Sequence, residues 1–266
     1  GCYNSNTGVV KNKGKYTAGV FGTIGINTKF EGIYNDGKVA GDGDYTAGVF
    51  AYGPSGMYDN VKMCYNTGEV EGNGMFVAGV CAYLLGEKKY SSNRTSYLYQ
   101  CYNTGTITGT GANTVAAGIT GTNYIDTAGS IGSYVVDCYN IGKISAADPF
   151  NIGAITGANG EGNGNSYYWE GSVELPEGVK ITDYNYVTPL DKYAFESGKA
   201  AYLLDDGGTA ARKNIWGQGE KYPEPSSNQA NPIYKMTLKA AGPTEGFEGE
   251  EADRNKVSYN KFELPR

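Results

Sequence analysis

The chain has 266 residues, a net charge of −6 and a pI near 4.9, and this acidic balance argues against nucleic-acid binding, which needs a basic surface. Its 41 glycines and 24 tyrosines, with few long apolar runs, are typical of a β-rich chain with many turns. The chain has no histidine and no apolar stretch of about 18 residues. These absences exclude Ser-His-Asp and Cys-His catalysis, the commonest zinc sites and a membrane-spanning helix.

One short element recurs five times in the first part of the chain. It reads Cys101-Tyr-Asn-Thr-Gly-Thr-Ile-Thr-Gly109 in its fourth copy, and the copies begin at residues 2, 33, 64, 101 and 138. A second landmark, Ala-Gly followed by Val or Ile, recurs after each copy, with Ile152-Gly153 in its place in the fifth. A fixed period of roughly 20–50 residues is typical of solenoids, propellers and arrays. The spacings of 31, 31, 37 and 37 residues therefore indicate a repeat architecture.

Each unit contains three short β-prone runs separated by turn residues. In the fourth unit these runs cover residues 97–102, 106–108 and 114–120, with Asn-Thr-Gly and Gly-Thr-Gly between them. None of the runs has the period of a helix. We therefore predict an all-β fold, a parallel β-solenoid (β-helix) with one coil for each of the five copies. A propeller is the second choice, because each blade needs roughly 40–45 residues in four antiparallel strands, which is longer than these repeats.

Stacking of such coils about 4.8 Å apart would place the cysteines in one column. Four of the five cysteines hold the same place in the repeat, and Ile33 holds it in the second copy. The column therefore needs a mid-sized apolar side chain rather than sulfur, and we predict buried free thiols. A disulfide between Cys101 and Cys138 is the alternative. The fifth cysteine, Cys81, aligns with phenylalanine, threonine and isoleucine in the other copies, which indicates a packing position.

Asparagine and glycine define two further columns. The asparagine amides are expected to hydrogen-bond up and down the stack. They are Asn4, Asn35, Asn66, Asn103 and Asn140. The glycine of the Ala-Gly landmark predicts a position with no room for a Cβ atom. The extra residues of the longer units fall in residues 86–96 and 123–133, and we expect these two loops to protrude from one side.

The repeat ends near residue 157, and the remaining chain has a different character. A helix is predicted over residues 190–204, with Asp191 as its cap, and strands over residues 167–170, 179–182 and 233–238. The last coil of a solenoid otherwise exposes a strand edge. We therefore predict a repeat solenoid over residues 1–157, a C-terminal cap with one short helix over residues 158–240, and an acidic tail or linker over residues 241–266.

The repeat resembles the GLUG-type repeats of bacterial surface proteins, which occur in adhesin-like proteins and in non-catalytic regions of IgA-protease-type chains. The matching features are the Cys-Tyr-Asn-Thr-Gly-x-Val/Ile element and the Ala-Gly-Val/Ile element, over residues 1–157. Ile33, Ile152 and an insertion in the first copy depart from this pattern. The residues from Phe195 to Leu204, followed by Trp216-Gly-Gln218, look like the segment that closes such arrays. The resemblance implies an exported, extracellular, cell-surface protein of a bacterium, and it implies no defined ligand.

The tyrosine column is the candidate ligand-binding site. If the cysteines point inward, strand alternation sends the neighbouring tyrosines outward, where they would form an aromatic strip able to lie against sugar rings or a partner protein. The strip consists of Tyr3, Tyr34, Tyr65, Tyr102 and Tyr139. The alternative is that stacked tyrosines only cover the sheet. The close acid pairs Asp42-Gly-Asp44 and Glu69-Val-Glu71 indicate solvated turns or strand faces, although the first could hold Ca²⁺.

These patterns favour a non-catalytic repeat module of an exported bacterial surface protein, acting as a stalk or as an adhesive surface. The partner would be a host or bacterial glycan or a surface protein, and further domains of a larger chain are expected. We predict no catalytic residue, no metal and no cofactor. The alternative is a carbohydrate-active β-helix enzyme or a carbohydrate-binding domain, because right-handed β-helices also host polysaccharide lyases and hydrolases.

Overall fold

The computed structural model describes residues 2–25, 28–54, 58–89, 92–125, 132–159, 162–183, 186–206, 215–225, 233–237 and 257–261. The chain divides into two compact units, Gly1–Leu190 and Asp191–Arg266. The first unit is a parallel β-solenoid in which five coils stack through five parallel sheets. This architecture confirms the predicted fold class.

Each coil contributes one strand to each of five sheets, numbered 1 to 5 in the order in which a coil visits them. The strands of sheet 1 are Tyr3–Asn4, Tyr34–Asn35, Tyr65–Asn66, Tyr102–Asn103, Tyr139–Asn140, Ser166–Trp169 and Val187–Leu190. The strands of sheet 2 are Val9–Asn12, Lys38–Gly41, Val70–Gly72, Ile107–Gly109 and Ile144–Ala146. The strands of sheet 3 are Tyr16–Ala18, Tyr45–Ala47, Phe76–Ala78, Val115–Ala117 and Ile152–Gly153.

Sheets 4 and 5 complete each coil. The strands of sheet 4 are Phe21–Thr23, Phe50–Gly53, Cys81–Lys89, Thr120–Ile125 and Thr156–Ala158. The strands of sheet 5 are Phe30–Glu31, Tyr58–Lys62, Ser96–Tyr99, Ser133–Val136 and Asn163–Gly164. The end of Cys81–Lys89 continues beyond the parallel sheet as an antiparallel hairpin with Ser92–Arg94, within the first of the two predicted loops. Much of the second loop, residues 126–131, lies outside the described residues.

Every coil turns from sheet 5 into sheet 1 at a single residue in the left-handed region. These residues and their φ angles are Gly32 (64°), Met63 (54°), Gln100 (54°), Asp137 (54°) and Asn165 (40°). Such a residue reverses the side-chain alternation and ends a strand, so the predicted run 97–102 becomes Ser96–Tyr99 and Tyr102–Asn103. A second bend, at Gly118, divides the predicted run 114–120. The prediction of three strands in each coil is therefore wrong, and the coil has five.

The asparagine column is a continuous hydrogen-bonded ladder, as predicted. Each side-chain Nδ2 donates to the Oδ1 of the asparagine in the next coil, and the four bonds from Asn4 to Asn140 are all 2.7 Å long. From Asn35 onward, the same nitrogen also donates to the carbonyl of the glycine two residues further on. These amides are fully buried. The ladder therefore satisfies polar groups that would otherwise destabilise the interior.

The glycines of the Ala-Gly landmark pack directly against this ladder. They are Gly19, Gly48, Gly79 and Gly118, at the bend between sheets 3 and 4. A Cβ atom on Gly48 would overlap Asn66 Oδ1 and the carbonyl of Gly79, and one on Gly79 would overlap Asn103 and the carbonyl of Gly118. The prediction that these positions have no room for a side chain is confirmed.

Two separate apolar clusters fill the solenoid. The larger contains the cysteine column with residues of sheets 4 and 5 such as Phe50, Leu84 and Leu98. The smaller contains the inward residues of sheets 2 and 3, such as Val70 and Ile107. Because the asparagine ladder contacts the glycine bend on the far wall, it separates the two clusters. All five cysteines are free, and all except Cys2 are buried.

Residues that follow the fifth coil close one end of the solenoid. The Asp183 carboxylate accepts the backbone N–H groups of Ala154 (2.5 Å), Ile155 (3.1 Å) and Thr156 (2.7 Å). In the earlier coils these positions donate to backbone carbonyls of the next coil. Burial raises the pKa of the Asp183 carboxyl to about 7, against the lowering effect of the three N–H donors.

The strand predicted over residues 179–182 is wrong. Thr182 N–H donates to Ile152 O at 2.8 Å, but these residues form no ladder of bonds. Parallel pairing continues past residue 157 through Ser166–Trp169 and Val187–Leu190 in sheet 1. Short 3-10 turns lie at Pro149–Asn151 and Glu170–Ser172. The roles of residues 158–240 as a cap and of residues 241–266 as a tail stay predictions.

The second unit contains two helices, Lys192–Glu196 and Lys199–Asp206. Asp191 caps the first by accepting Ala194 N–H at 2.7 Å, as predicted. The single helix predicted over residues 190–204 is interrupted because Gly198 adopts a φ of 89°. Two antiparallel hairpins follow. They pair Trp216–Gln218 with Pro223–Pro225, and Ile233–Thr237 with Val257–Lys261. Among the described residues, no helix is long and apolar enough to cross a membrane.

Candidate functional site

The predicted tyrosine column forms a stack of parallel rings on the outside of sheet 1. Its inward neighbours are the ladder asparagines, which fix the tyrosines at one position per coil. Ring centroids lie 4.9 Å apart for Tyr3–Tyr34, 4.7 Å for Tyr34–Tyr65, 4.7 Å for Tyr65–Tyr102 and 5.2 Å for Tyr102–Tyr139. The interplanar angles are all 9° or less.

The exposure of the stack changes along its length. Tyr3 is 58% exposed, whereas Tyr139 is completely buried. Tyr34, Tyr65 and Tyr102 are partly exposed. Tyr139 stays in the stack, on the same side of sheet 1 as Tyr102, but it is not exposed there and lies beside the added strand Ser166–Trp169. The tyrosine strip is therefore defined as Tyr3, Tyr34, Tyr65 and Tyr102.

Parallel stacking restricts what the strip offers to a ligand. Each inner ring has both faces covered by its neighbours, so its exposed part consists of ring edges and the hydroxyl group. Only the outer face of Tyr3 has no ring of the described coils against it. Flat stacking of a sugar ring needs an open aromatic face, so the inner tyrosines do not provide it. Burial and the nearby Asp36 carboxylate raise the pKa of the Tyr34 hydroxyl above its ordinary value.

Polar pairs between coils flank the strip. Thr67 Oγ1 donates to Asp36 Oδ1 at 2.5 Å, and Lys38 Nζ contacts Glu69 Oε1 at 2.8 Å. On the opposite flank, Lys62 Nζ lies 3.2 Å from Glu31 Oε2. These exposed pairs contribute little stability individually, but they occupy the carboxylates of several coils.

The two acid pairs of the sequence are also engaged with neighbouring coils. Asp44 lies 3.8 Å from Lys15 Nζ, and Asp42 accepts Asn73 Nδ2 at 3.4 Å. Glu69 pairs with Lys38. Among the described residues, no group of three or more cysteine and acidic side chains is arranged to hold a metal ion. The Ca²⁺ alternative for Asp42 and Asp44 therefore gains no support.

A second aromatic cluster, which the sequence interpretation missed, fills the outer corner between sheets 3 and 4. It consists of Tyr16, Tyr45, Phe76, Tyr52 and Tyr83. Rings of the two sheets meet at steep angles, for example 63° at 5.1 Å between Tyr45 and Tyr83. The signal was present in the sequence as Tyr-Thr-Ala at residues 16–18 and 45–47 and Phe-Val-Ala at residues 76–78. We assign this corner cluster to packing, because its rings contact one another and Phe76 lies against Gly121.

The inner cysteines are buried, free thiols. Burial raises the pKa of the Cys81 thiol far above its ordinary value, so the thiolate needed for nucleophilic attack is not formed near neutral pH. The predicted packing role of Cys81 is confirmed by its place in the larger apolar cluster. In the cysteine column, Cys101 N–H contacts Cys138 Sγ at 3.4 Å, and both thiols are free.

The fold and these surfaces define a parallel β-solenoid repeat protein. No protein-family model matches the chain, and neither the curated proteins nor the solved structures contain a match.

Proposed function

We propose that the protein is a non-catalytic repeat module of an exported bacterial surface protein, serving as a stalk or adhesive surface for glycan or protein partners. In this proposal it belongs with the GLUG-type repeats that its motif resembles, and it stands among further domains of a larger chain on the cell exterior. The single observation that supports the proposal most is the uninterrupted asparagine ladder from Asn4 to Asn140, with its four 2.7 Å bonds.

The ladder suits a stalk because its bonds run along the solenoid axis. Backbone bonds between coils run in the same direction, so each coil is joined to the next through all five sheets and through the asparagine amides. Burial of these amides excludes the water that would otherwise compete for them. A rod built in this way resists bending and pulling along its length, which is the mechanical property that a spacer on a cell surface needs.

The tyrosine strip supports the adhesive part of the proposal. Tyrosine is enriched at protein interfaces because it combines a rigid apolar ring with a hydroxyl group. Along the strip these groups recur every 4.7–4.9 Å, at fixed orientation, between flanks of paired charges. We therefore propose binding through hydroxyl groups and ring edges.

The test is a glycan array, followed by titration of any ligand that it identifies. In a triple variant, Tyr34→Phe, Tyr65→Phe and Tyr102→Phe, the ring stack is kept and only the hydroxyl groups are removed. The proposal predicts at least about a tenfold loss of affinity, since two or more hydrogen bonds of about 1 kcal/mol each would be lost. Tyr45→Phe in the corner cluster is the matched control and should bind as the parent does. Equal binding by the triple variant and the control would refute the use of the strip.

The alternative of a carbohydrate-active enzyme makes a different structural demand. A glycosidase needs two carboxylates about 5–10 Å apart in a cleft, one of them free to act as an acid. In the described coils Glu31, Asp44 and Glu69 are each paired with a lysine of a neighbouring coil. This engagement favours the non-catalytic proposal. Release of reducing ends or of unsaturated products from a panel of acidic and neutral polysaccharides would overturn it.

A further inference from the structure

The bend between sheets 3 and 4 directs three consecutive backbone N–H groups at the next coil. In the fourth coil, the N–H groups of Gly118, Ile119 and Thr120 donate at 3.3, 3.0 and 3.0 Å. Their acceptors are two carbonyl oxygens of the fifth coil, which belong to Gly153 and Ile155. Residues 79–81 of the third coil donate to two carbonyl oxygens of the fourth in the same pattern. Two oxygen atoms therefore satisfy the three donors of each of these bends.

The fifth coil presents the same three donors, but a carboxylate takes the place of the two carbonyl groups. Register places Ala154, Ile155 and Thr156 level with residues 118–120 of the fourth coil. Asp183 Oδ2 accepts Ala154 N–H at 2.5 Å, and Oδ1 accepts Thr156 N–H at 2.7 Å. The middle donor, Ile155 N–H, lies 3.1 Å from Oδ1 and 3.3 Å from Oδ2, so the two oxygens share it. The carboxylate therefore binds this bend with both of its oxygen atoms.

The chemistry of this bend favours an anion with two oxygen atoms. Successive backbone N–H groups that point at one place form an anion-binding concavity, and a bond from N–H to a charged acceptor is about twice as strong as one to a neutral acceptor. Ala154, Ile155 and Thr156 are fully buried, which limits competition from water. A halide ion has a single centre, whereas the two outer donors here are held by different oxygen atoms. The geometry therefore selects a carboxylate.

Asp183 reaches the bend on a short strap, residues 181–183, which lies outside the strands of the solenoid. Thr182 N–H donates to Ile152 O at 2.8 Å, and Thr182 Oγ1 donates to Thr156 O at 3.4 Å. The strap thus holds the carboxylate against the bend through two further bonds, without adding a strand to sheet 3 or sheet 4. The carboxylate and the three N–H groups are therefore related as a ligand and its site rather than as two strands of one sheet.

We propose that the bend formed by residues 154–156 is a carboxylate-binding site, which the chain fills with its own Asp183 and which a free carboxylate anion fills when Asp183 is displaced or removed. An occupied site satisfies three buried N–H groups, so the folded chain favours an anion there. Because the strap tethers Asp183, the effective concentration of its carboxylate at the bend is high. An external carboxylate therefore competes poorly with the intact strap and binds readily once the side chain is absent.

Chemical rescue of an Asp183→Ala variant of the full chain tests the site. Hydrogen exchange of the backbone amides of residues 154–156 is measured by NMR above pH 7, where the parent carboxyl, with its pKa of about 7, is ionised. We expect these amides to lose at least about tenfold in protection, because each loses a bond to a charged acceptor. Added formate should restore the protection in a saturable manner, since binding to the folded state follows mass action. Chloride at the same ionic strength should not restore it.

Asp148→Ala is the matched control, because Asp148 is a carboxylate of the same coil that accepts Phe150 N–H at 3.0 Å outside the bend. Neither this variant nor the parent should respond to formate, because Asp183 already fills the site in both. Equal effects of formate and chloride on Asp183→Ala would overturn the proposal, as would unchanged protection of residues 154–156 in that variant. If Asp183→Ala does not fold, its folded fraction is followed by circular dichroism, and a fraction that formate does not raise above its value in chloride would overturn the proposal too.

Discussion

Replacement of Asn66 with alanine would break the asparagine ladder at its centre. Asn66 donates to Asn103 Oδ1 at 2.7 Å and to Gly68 O at 2.8 Å, and it accepts Asn35 Nδ2 at 2.7 Å. Each such bond contributes about 1 kcal/mol net, and a buried polar atom left without a partner costs about 1–3 kcal/mol. We expect Asn66→Ala to lower the free energy of unfolding by about 3 kcal/mol.

Asn4→Ala is the matched control at the open end of the ladder. Asn4 makes one ladder bond and is only partly buried, so water can replace the lost amide. Its expected cost is about 1 kcal/mol or less. Asn66→Asp is a second probe, because a carboxylate keeps the size of the side chain and can accept from Asn35 but cannot donate to Gly68 or Asn103. We expect it to destabilise the chain more than Asn66→Ala does.

The assay is urea denaturation, monitored at the same time by circular dichroism and by tyrosine fluorescence. Repeat proteins can unfold in parts, so a free energy is derived only where the two transitions coincide. A loss for Asn66→Ala no larger than that for Asn4→Ala would refute the reasoning, because the buried ladder would then contribute no more than a surface amide.

Three further predictions follow from the packing. Gly48→Ala should destabilise the chain by about 1–3 kcal/mol, because the added Cβ would overlap Asn66 and the Gly79 carbonyl. Gly22→Ala should be tolerated, because a Cβ there would lie 3.5 Å from Tyr16 O and 3.7 Å from Tyr16 Cβ. Equal denaturation midpoints for the two variants would contradict this prediction. A thiol reagent should label one cysteine per native chain, Cys2, and all five in denaturant, since the other four are buried; labelling of more than one native thiol would disprove the packing of that column. The raised pKa of Asp183, about 7 against an ordinary 3.8, means that the folded chain holds a proton which the unfolded chain has lost between these pH values. The free energy of unfolding should therefore fall as pH rises from about 4 to about 7, and the difference between the parent and Asp183→Asn should vary with pH in that window; a difference independent of pH would contradict the raised pKa.

The repeated columns could be predicted because five copies can be compared with one another. Ile33 in the cysteine column showed that packing rather than sulfur chemistry matters there, and the burial of Cys64, Cys101 and Cys138 agrees. The unvarying asparagine and glycine positions predicted a ladder and a tight bend. Both follow from strict register, because parallel coils place equal residues directly above one another.

Other features could not be read from the sequence because no single residue type marks them. The corner before sheet 1 adopts a positive φ in every coil, yet its residues include Met63, Gln100 and Asp137 as well as glycine and asparagine. A left-handed position normally costs such residues roughly 1–2 kcal/mol, so sequence preference argues against it. Register with neighbouring coils imposes the bend, which propensity alone does not reveal.

The candidate site was predicted in position but not in geometry. Strand alternation correctly placed the tyrosines of all five coils on one side of sheet 1. The repeat pattern could not show that the added strand Ser166–Trp169 lies beside Tyr139, because that strand lacks the repeat motif. Nor could spacing alone show that near-parallel stacking covers the ring faces. Because the strip exposes ring edges and hydroxyl groups, tyrosine-to-phenylalanine variants are the ones that test the site.

The most direct test of the ladder is to measure by NMR the hydrogen-exchange rates of the asparagine side-chain amides. The ladder predicts slow exchange for the Nδ2 protons of Asn35, Asn66 and Asn103, which are buried and donate twice. The exposed Asn12, whose Oδ1 only accepts Gly14 N–H, should exchange at the rate of a free amide. Exchange of the Asn66 amide as fast as that of Asn12 would contradict the buried ladder on which the account of this solenoid rests.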